Sequence, residues 1–174
     1  MPITSEIKDK KTTIQNANNS DKPFSAYHMN TSYDILEYAY DDVILQGQAV
    51  QDERDALNKM IERYKDSKAI FIADRGYESI NPFEKINLSG NKYLVRVKDI
   101  HSTGMLRNFG LFPDDEFDIQ VRRILTTKQT NEIKAYPEIY KFVPQNQRFD
   151  YFEDTPFYDF ECRVGCFKNY RGYI

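Results

Sequence analysis

The chain has no tryptophan, only two cysteines and two histidines, and no surplus of basic residues. It also has no apolar run as long as a membrane span, and no apolar core of a secretory signal at its start. Each absence removes a class of function. Two cysteines and two histidines (His28, His101) do not make the paired ligand spacing of a structural zinc site. Cys162 and Cys166 lie four residues apart; in a strand they would face the same way but sit too far apart for an easy disulfide. Two reduced strand cysteines are expected. Lys and Arg total 24 against 27 Asp and Glu, a formal net charge of −3, so any nucleic-acid surface has to be local or contributed by something else. Without a span or a signal, a cytoplasmic setting with no membrane partner is expected.

What is present is enough for one domain with a real core: 174 residues, 40% hydrophobic and 29% charged. The aromatic residues, 13 Tyr and 12 Phe, point to strands rather than to helical bundles. The patterning divides the chain into three. Residues 1–23 are polar and without periodicity, an irregular arm with a loop over Asn16 to Lys22. Residues 24–100 carry the clearest pattern: extended segments at Phe24–Asn30 and Tyr33–Leu36, then a strand from Tyr38 to Gln46 ending at Gly47, close enough to pair as an antiparallel hairpin. A helix follows over Asp52–Tyr64, with Ala56, Leu57, Met60, Ile61 and Tyr64 on one stripe and Asp52 or a neighbour as its cap. Then come a strand at Ala69–Asp74, a helix at about Pro82–Leu88 with Asn81 as N-cap and Gly90 past its end, and a strand at Lys92–Lys98. Residues 101–174 lose the helical period. Glu116–Thr126, Phe149–Phe152 and Phe157–Lys168 read as strands, and Tyr136–Val143 as a short helix or an extended piece. The fold class expected is α/β: a partial ribonuclease H-like mixed sheet with flanking helices, followed by a β-rich insertion.

The richest single stretch is Ala69-Ile70-Phe71-Ile72-Ala73-Asp74-Arg75-Gly76-Tyr77. A run that reads as a buried strand ends in a carboxylate, and an Arg-Gly turn follows. A carboxylate at the C-terminal end of a strand is how α/β folds aim charge into a cleft. The plainer reading is that Asp74 caps the helical turn behind it.

The chain resembles the DDE transposases of bacterial insertion sequences, in the branch with a β-strand insertion late in the catalytic domain. Five elements carry the resemblance, in order: Tyr27-His28-Met29-Asn30 with Tyr33-Asp34; Asp52-Glu53-Arg54; Ile72-Ala73-Asp74-Arg75-Gly76-Tyr77-Glu78-Ser79; Leu94-Val95-Arg96-Val97-Lys98-Asp99; and Leu125-Thr126-Thr127-Lys128-Gln129-Thr130-Asn131-Glu132. They span about Phe24 to Lys168.

That resemblance implies two-metal phosphodiester cleavage and strand transfer on DNA, with three carboxylates holding two Mg²⁺ ions. Asp74 matches the second carboxylate and is the expected catalytic residue and metal ligand. The first, in an Asp-Gly-Ser-like element before the hairpin, has no match; Glu6 and Asp9 are poor substitutes. The third, a helical Glu after the insertion, has none either, since Glu161 lies in a strand pattern. The expectation is a transposase reading frame truncated at both ends and catalytically incompetent as it stands, binding Mg²⁺ weakly. Expected partners are DNA at transposon ends and an intact transposase. Arg75, Arg96, Lys98, Arg122, Arg123 and Lys128 are the candidate DNA contacts, with solvated or ion-paired charges as the commoner explanation for each. A non-enzymatic DNA-binding or transposase-interacting remnant is the alternative.

Overall fold

A computed structural model describes residues 11–14, 24–64, 68–98, 103–107, 109, 112–113 and 115–167. The structure is mixed α/β, with several small sheets and few helices. It divides into two compact units, Met1–Tyr77 with Lys85–Leu94, and Glu78–Glu84 with Val95–Ile174.

In the first unit, β1 (Thr13–Ile14) pairs antiparallel with β2 (Phe24–Ser25). The polar arm is therefore not wholly irregular; the loop expected over Asn16–Lys22, and Glu6 and Asp9, lie outside the described residues. β3 (Tyr27–Asp34) and β4 (Ala39–Gly47) form the expected antiparallel hairpin, with Met29 opposite Leu45 and Thr31 opposite Val43. Its turn is built by Asp34, whose Oδ1 accepts the N–H groups of Leu36 (2.7 Å) and Glu37 (2.9 Å), while Tyr38 takes a left-handed φ of 56°. Ser32 faces Asp42 but Tyr33 faces Tyr40, so Asp41 is the extra residue of a bulge. At the far end of β4, a Cβ on Gly47 would run into the Lys11 carbonyl, which is why β1 can cross there.

Helix α1 (Glu53–Arg63) starts where Asp52 caps it: Oδ1 accepts from the N–H of Arg54 (3.1 Å) and Asp55 (3.0 Å). Ala56 and Met60 bury against Ile44 of β4, and Ile61 is buried beside them in the sequence stripe. β5 (Ile70–Ala73) pairs with β6 (Lys92–Val95) as a separate two-stranded ribbon. This corrects the reading of β5 as a buried strand: Ile70 and Ile72 are 64% and 61% exposed. Side chains alternate along the strand, and Ile70 and Ile72 share the side that faces solvent.

Helix α2 (Ile80–Leu88) begins two residues before the sequence pattern suggests. Asn81 is therefore inside the first turn rather than at the N-cap, and Pro82 is tolerated because its missing N–H falls among those with no intrahelical partner. The end is as expected. Gly90 sits at φ 78°, its N–H reaches the Asn87 carbonyl (3.0 Å), and the Asn91 N–H reaches the Ile86 carbonyl (3.2 Å), a Schellman closure.

The second unit is organised by a three-stranded sheet in the order β8-β7-β9. β7 (Phe117–Thr126) pairs antiparallel with β9 (Phe157–Cys166), close to the strands expected there. Between them the chain forms a five-residue helix, α3 (Asn131–Ala135), and β8 (Tyr140–Phe142), which lies parallel to β7. Neither α3 nor the parallel pairing was visible as periodicity; α3 is set by its cap, where Thr130 Oγ1 accepts the Ile133 N–H at 3.3 Å. Phe149–Phe152 is not a strand. It is a turn in which the Phe149 ring meets Tyr151, Phe152 and Tyr158 edge-on at 5.3, 4.9 and 5.1 Å. Two part-buried polar pairs tie this unit together: Asn81 exchanges two hydrogen bonds with Asp150 (3.1 and 2.9 Å), and Tyr158 Oη donates to Glu84 (2.7 Å).

Candidate functional site

Three of the five resemblance elements meet in the first unit. The first turn of α1 lies against the turn after β5, and β3 brings His28 alongside. His28 Nε2 stands 3.4 Å from Glu53 Oε1. Arg54 Nε donates to the Gly76 carbonyl at 3.4 Å, and a Cβ on Gly76 would come 3.3 Å from Glu53 Oε2. Behind them Gln46 clamps the helix start through both ends of its amide. Its Oε1 accepts the Asp52 N–H (3.0 Å) and its Nε2 donates to the Asp52 carbonyl (3.1 Å). Asn30 Nδ2 then donates to Gln46 Oε1 at 3.2 Å. Gln51, Asp52, Glu53, Arg54 and Gly76 line a shallow cleft of about 310 Å³. Tyr77, the next residue after Gly76, is half-buried; burial, and then the negative charge of Glu53, push its hydroxyl above the ordinary tyrosine pKa.

Asp74 sits at the C-terminal end of β5, exposed, as the sequence suggests. Its Oδ1 accepts the Arg75 N–H at 2.7 Å and its carbonyl accepts the Tyr77 N–H at 3.0 Å, holding the short 3₁₀ turn Arg75–Tyr77. Among the described residues no group of three or more His, Cys, Asp and Glu is placed to hold a metal ion. Asp74 with one oxygen on the next amide does not fit a pair of Mg²⁺ ions, which need several carboxylates around them.

The candidate DNA contacts are scattered. Arg75 is exposed beside Asp74. Arg96 and Lys98 lie past the end of β6, so they do not alternate along a strand as expected; the Lys98 N–H donates to Glu78 Oε2 at 2.8 Å. Arg122 and Arg123 point to opposite faces of β7. On the outer face Arg122 forks onto Asp159, with Nε at 2.7 and 2.9 Å from its two oxygens. Arg123 turns inward, where its guanidinium donates to the carbonyls of Phe109 and Arg122 (2.6 and 2.7 Å) and lies over the Phe109 ring at 6.0 Å. Lys128 stands over Phe157 at 5.4 Å. The basic run of the β section is thus engaged internally.

Sequence reading missed the partners of these groups because they are distant in the chain. Arg163–Asp118, Arg122–Asp159 and Gln120–Glu161 are diagonal neighbours across the β7–β9 register, visible only once that register is known. Lys141 was not singled out at all. Burial, the neighbouring Arg107 and a hydrogen bond to the Arg107 carbonyl accompany an ammonium whose pKa falls to about 8, first because of desolvation.

Among the described residues no helix is long and apolar enough to cross a membrane. Comparison of the chain with family models, characterised proteins and solved structures gave no match. The class that the fold defines is accordingly mixed α/β, with a shallow polar cleft at the start of α1.

Proposed function

We propose that this chain is a relative of the DDE transposases whose core is a partial ribonuclease H-like sheet, and that it does not catalyse strand transfer by itself. One observation carries the reading. Hairpin, helix, strand leading into Asp74, turn, helix and strand follow in the order the resemblance implies, yet among the described residues the β3–β4 and β5–β6 ribbons share no pairing. In the ribonuclease H-like arrangement a further strand joins two such ribbons, and that strand carries the first carboxylate. Of the three carboxylates implied, this sequence supplies Asp74. One exposed carboxylate competes poorly with water for Mg²⁺, so weak binding of that ion is expected.

A nicking and strand-transfer assay on DNA with Mg²⁺ or Mn²⁺ tests the proposal. No product is expected. Product that disappears in Asp74→Ala would overturn it. The internal engagement of Arg122, Arg123 and Lys128 favours a second reading, a non-enzymatic remnant that acts on an intact transposase rather than on DNA. Salt-sensitive DNA retention in a gel-shift experiment would count against that reading.

A further inference from the structure

The inner side of the β8-β7-β9 sheet carries two cations that no anion answers. Arg123 lies between Val121 and Leu125 in the alternation of β7, so it shares their buried side. Lys141 of β8 stands opposite Leu125 in the register and points the same way. Both side chains are half-buried and meet Phe109, which is 0% exposed: Lys141 Nζ lies 5.2 Å and Arg123 Cζ 6.0 Å from its ring centre. Their hydrogen bonds go to main-chain carbonyls. Lys141 donates to Arg107, and Arg123 to Phe109 (2.6 Å) and Arg122 (2.7 Å). The exposed Arg107 adds a third positive charge beside the Lys141 amine.

Charges taken out of water are normally paired. Among the described residues none of these three is in an ion pair. The carboxylates whose charge reaches them are Glu78 and Glu138. Glu78 is committed to the N–H groups of Lys98 (2.8 Å) and Met105, and Glu138 is exposed. Such surroundings favour loss of the Lys141 proton, and they favour any adduct that brings a negative charge. The first effect shows in the amine itself: desolvation, and then Arg107, lower its pKa to about 8 against an opposing pull from Glu78, so near that pH about half of it is free base. An acyl group would satisfy only the first effect, because an amide is neutral. Carbon dioxide satisfies both, and it is small and uncharged, as a half-buried amine requires.

We propose that Lys141 is a site of carbamylation by carbon dioxide, its carbamate held by the guanidinium groups of Arg107 and Arg123. The free amine adds to the carbon: one N–C bond forms, one C–O π bond opens onto oxygen, and the nitrogen gives a proton to water. From ammonium to carbamate the side chain passes from one positive charge to one negative, and two protons leave. Three unanswered cations become two guanidinium ions sharing one anion, with charge-assisted hydrogen bonds between them. The full chain equilibrated with isotope-labelled bicarbonate, read by carbon NMR, then trapped with triethyloxonium ion and mapped by peptide mass spectrometry, tests this. A carbamate resonance and an ethyl carbamate on Lys141 are expected, with the exposed Lys134 unmodified. Lys141→Arg should abolish the signal and leave the circular dichroism spectrum unchanged; the mapping itself is made on the wild-type chain and stands whether or not the variant folds. Arg107→Gln should lower occupancy at Lys141 several-fold at the same bicarbonate concentration. Lys141 unlabelled at high bicarbonate, or labelled no more than Lys134, overturns the proposal. Occupancy indifferent to Arg107→Gln overturns the role given to Arg107.

Discussion

The two long antiparallel strand pairs, β3–β4 and β7–β9, treat their apolar residues in opposite ways. In β7–β9 one side is buried: Phe117, Val121 and Leu125 share it with Cys162, Val164 and Phe160. The other side is closed by charge, with Asp118, Gln120 and Arg122 each reaching diagonally to Arg163, Glu161 and Asp159. In β3–β4 the polar residues are covered and the apolar ones are outside. The first pair is a finished structural element. The second has the composition of one but not its surroundings, and the difference teaches that alternation alone says which residues share a side, not which side is inside.

The sharpest way to break this comparison is to truncate the same residue type in each pair. Leu125 is fully buried in β7 and Leu45 is 62% exposed in β4. Leu125→Ala should lower unfolding free energy by about 2–5 kcal/mol, through lost burial and the cavity left behind. Leu45→Ala, measured in dilute solution, should stay within about 0.5 kcal/mol. Equal losses in a denaturant titration would mean that the hairpin's apolar side is buried after all.

A smaller effect is expected where polar groups substitute for apolar packing. Asn81 is 1% exposed, and its amide both donates to Asp150 and accepts its N–H. Asn81→Ala removes one partner each from the Asp150 N–H and carboxylate, which lie near water with Arg148 on the same carboxylate, and should cost about 0.5–1.5 kcal/mol by thermal or chemical unfolding. In the first unit the corresponding polar device is the cap. Asp52→Ala removes the acceptor for two N–H groups at the start of α1 and should cost ~1 kcal/mol, whereas Asp52→Asn should cost less. A loss at Asp52 as large as that at Leu125 would show that the Gln46 clamp on the same residue depends on the cap.

These same residues show what could be read in advance. Asp52 as a cap, the α1 stripe, Gly90 at the end of α2, the hairpin and both long strands of the second unit follow from local rules, because caps, turns and alternation are written within a few residues. The polarity of the hairpin was not legible, since it depends on what lies above each side. The start of α2 was misplaced because Asn81 and Pro82 suit a helix entry, and the Asp150 that claims the Asn81 side chain is 69 residues away. The three elements that converge at the cleft could be named from the sequence, whereas the Glu53–His28 contact and the Arg54–Gly76 bond needed the fold. The fate of Arg122 and Arg123 needed it even more: adjacent residues on a strand face opposite ways, so a basic pair in the sequence is not a basic patch on the surface.

The two cysteines give the finest probe of the finished sheet. Both lie on β9, two alternations apart, and both are free. Cys162 is buried in the sheet's inner side, where desolvation pushes its thiol from 9.0 up to about 11; Cys166 is exposed at the strand's end. The thiolate is the reacting form, so a native-state alkylation at mildly alkaline pH should modify Cys166 readily and reach Cys162 only through unfolding. The same shift fixes a pH effect. A group whose folded pKa is raised contributes stability that is fully present below the unfolded pKa and is lost as pH rises through the folded one. Between pH 9.0 and about 11 the unfolded chain releases the Cys162 proton while the folded chain keeps it, so that part of the stability declines across this window. Comparison of the wild type with Cys162→Val isolates the contribution from other groups that titrate there, and the wild-type unfolding free energy minus that of the variant should fall as pH rises. A constant difference, or equal labelling of the two thiols in the native state, would place Cys162 in contact with water and the inner side of β7–β9 in the same exposed condition as the hairpin.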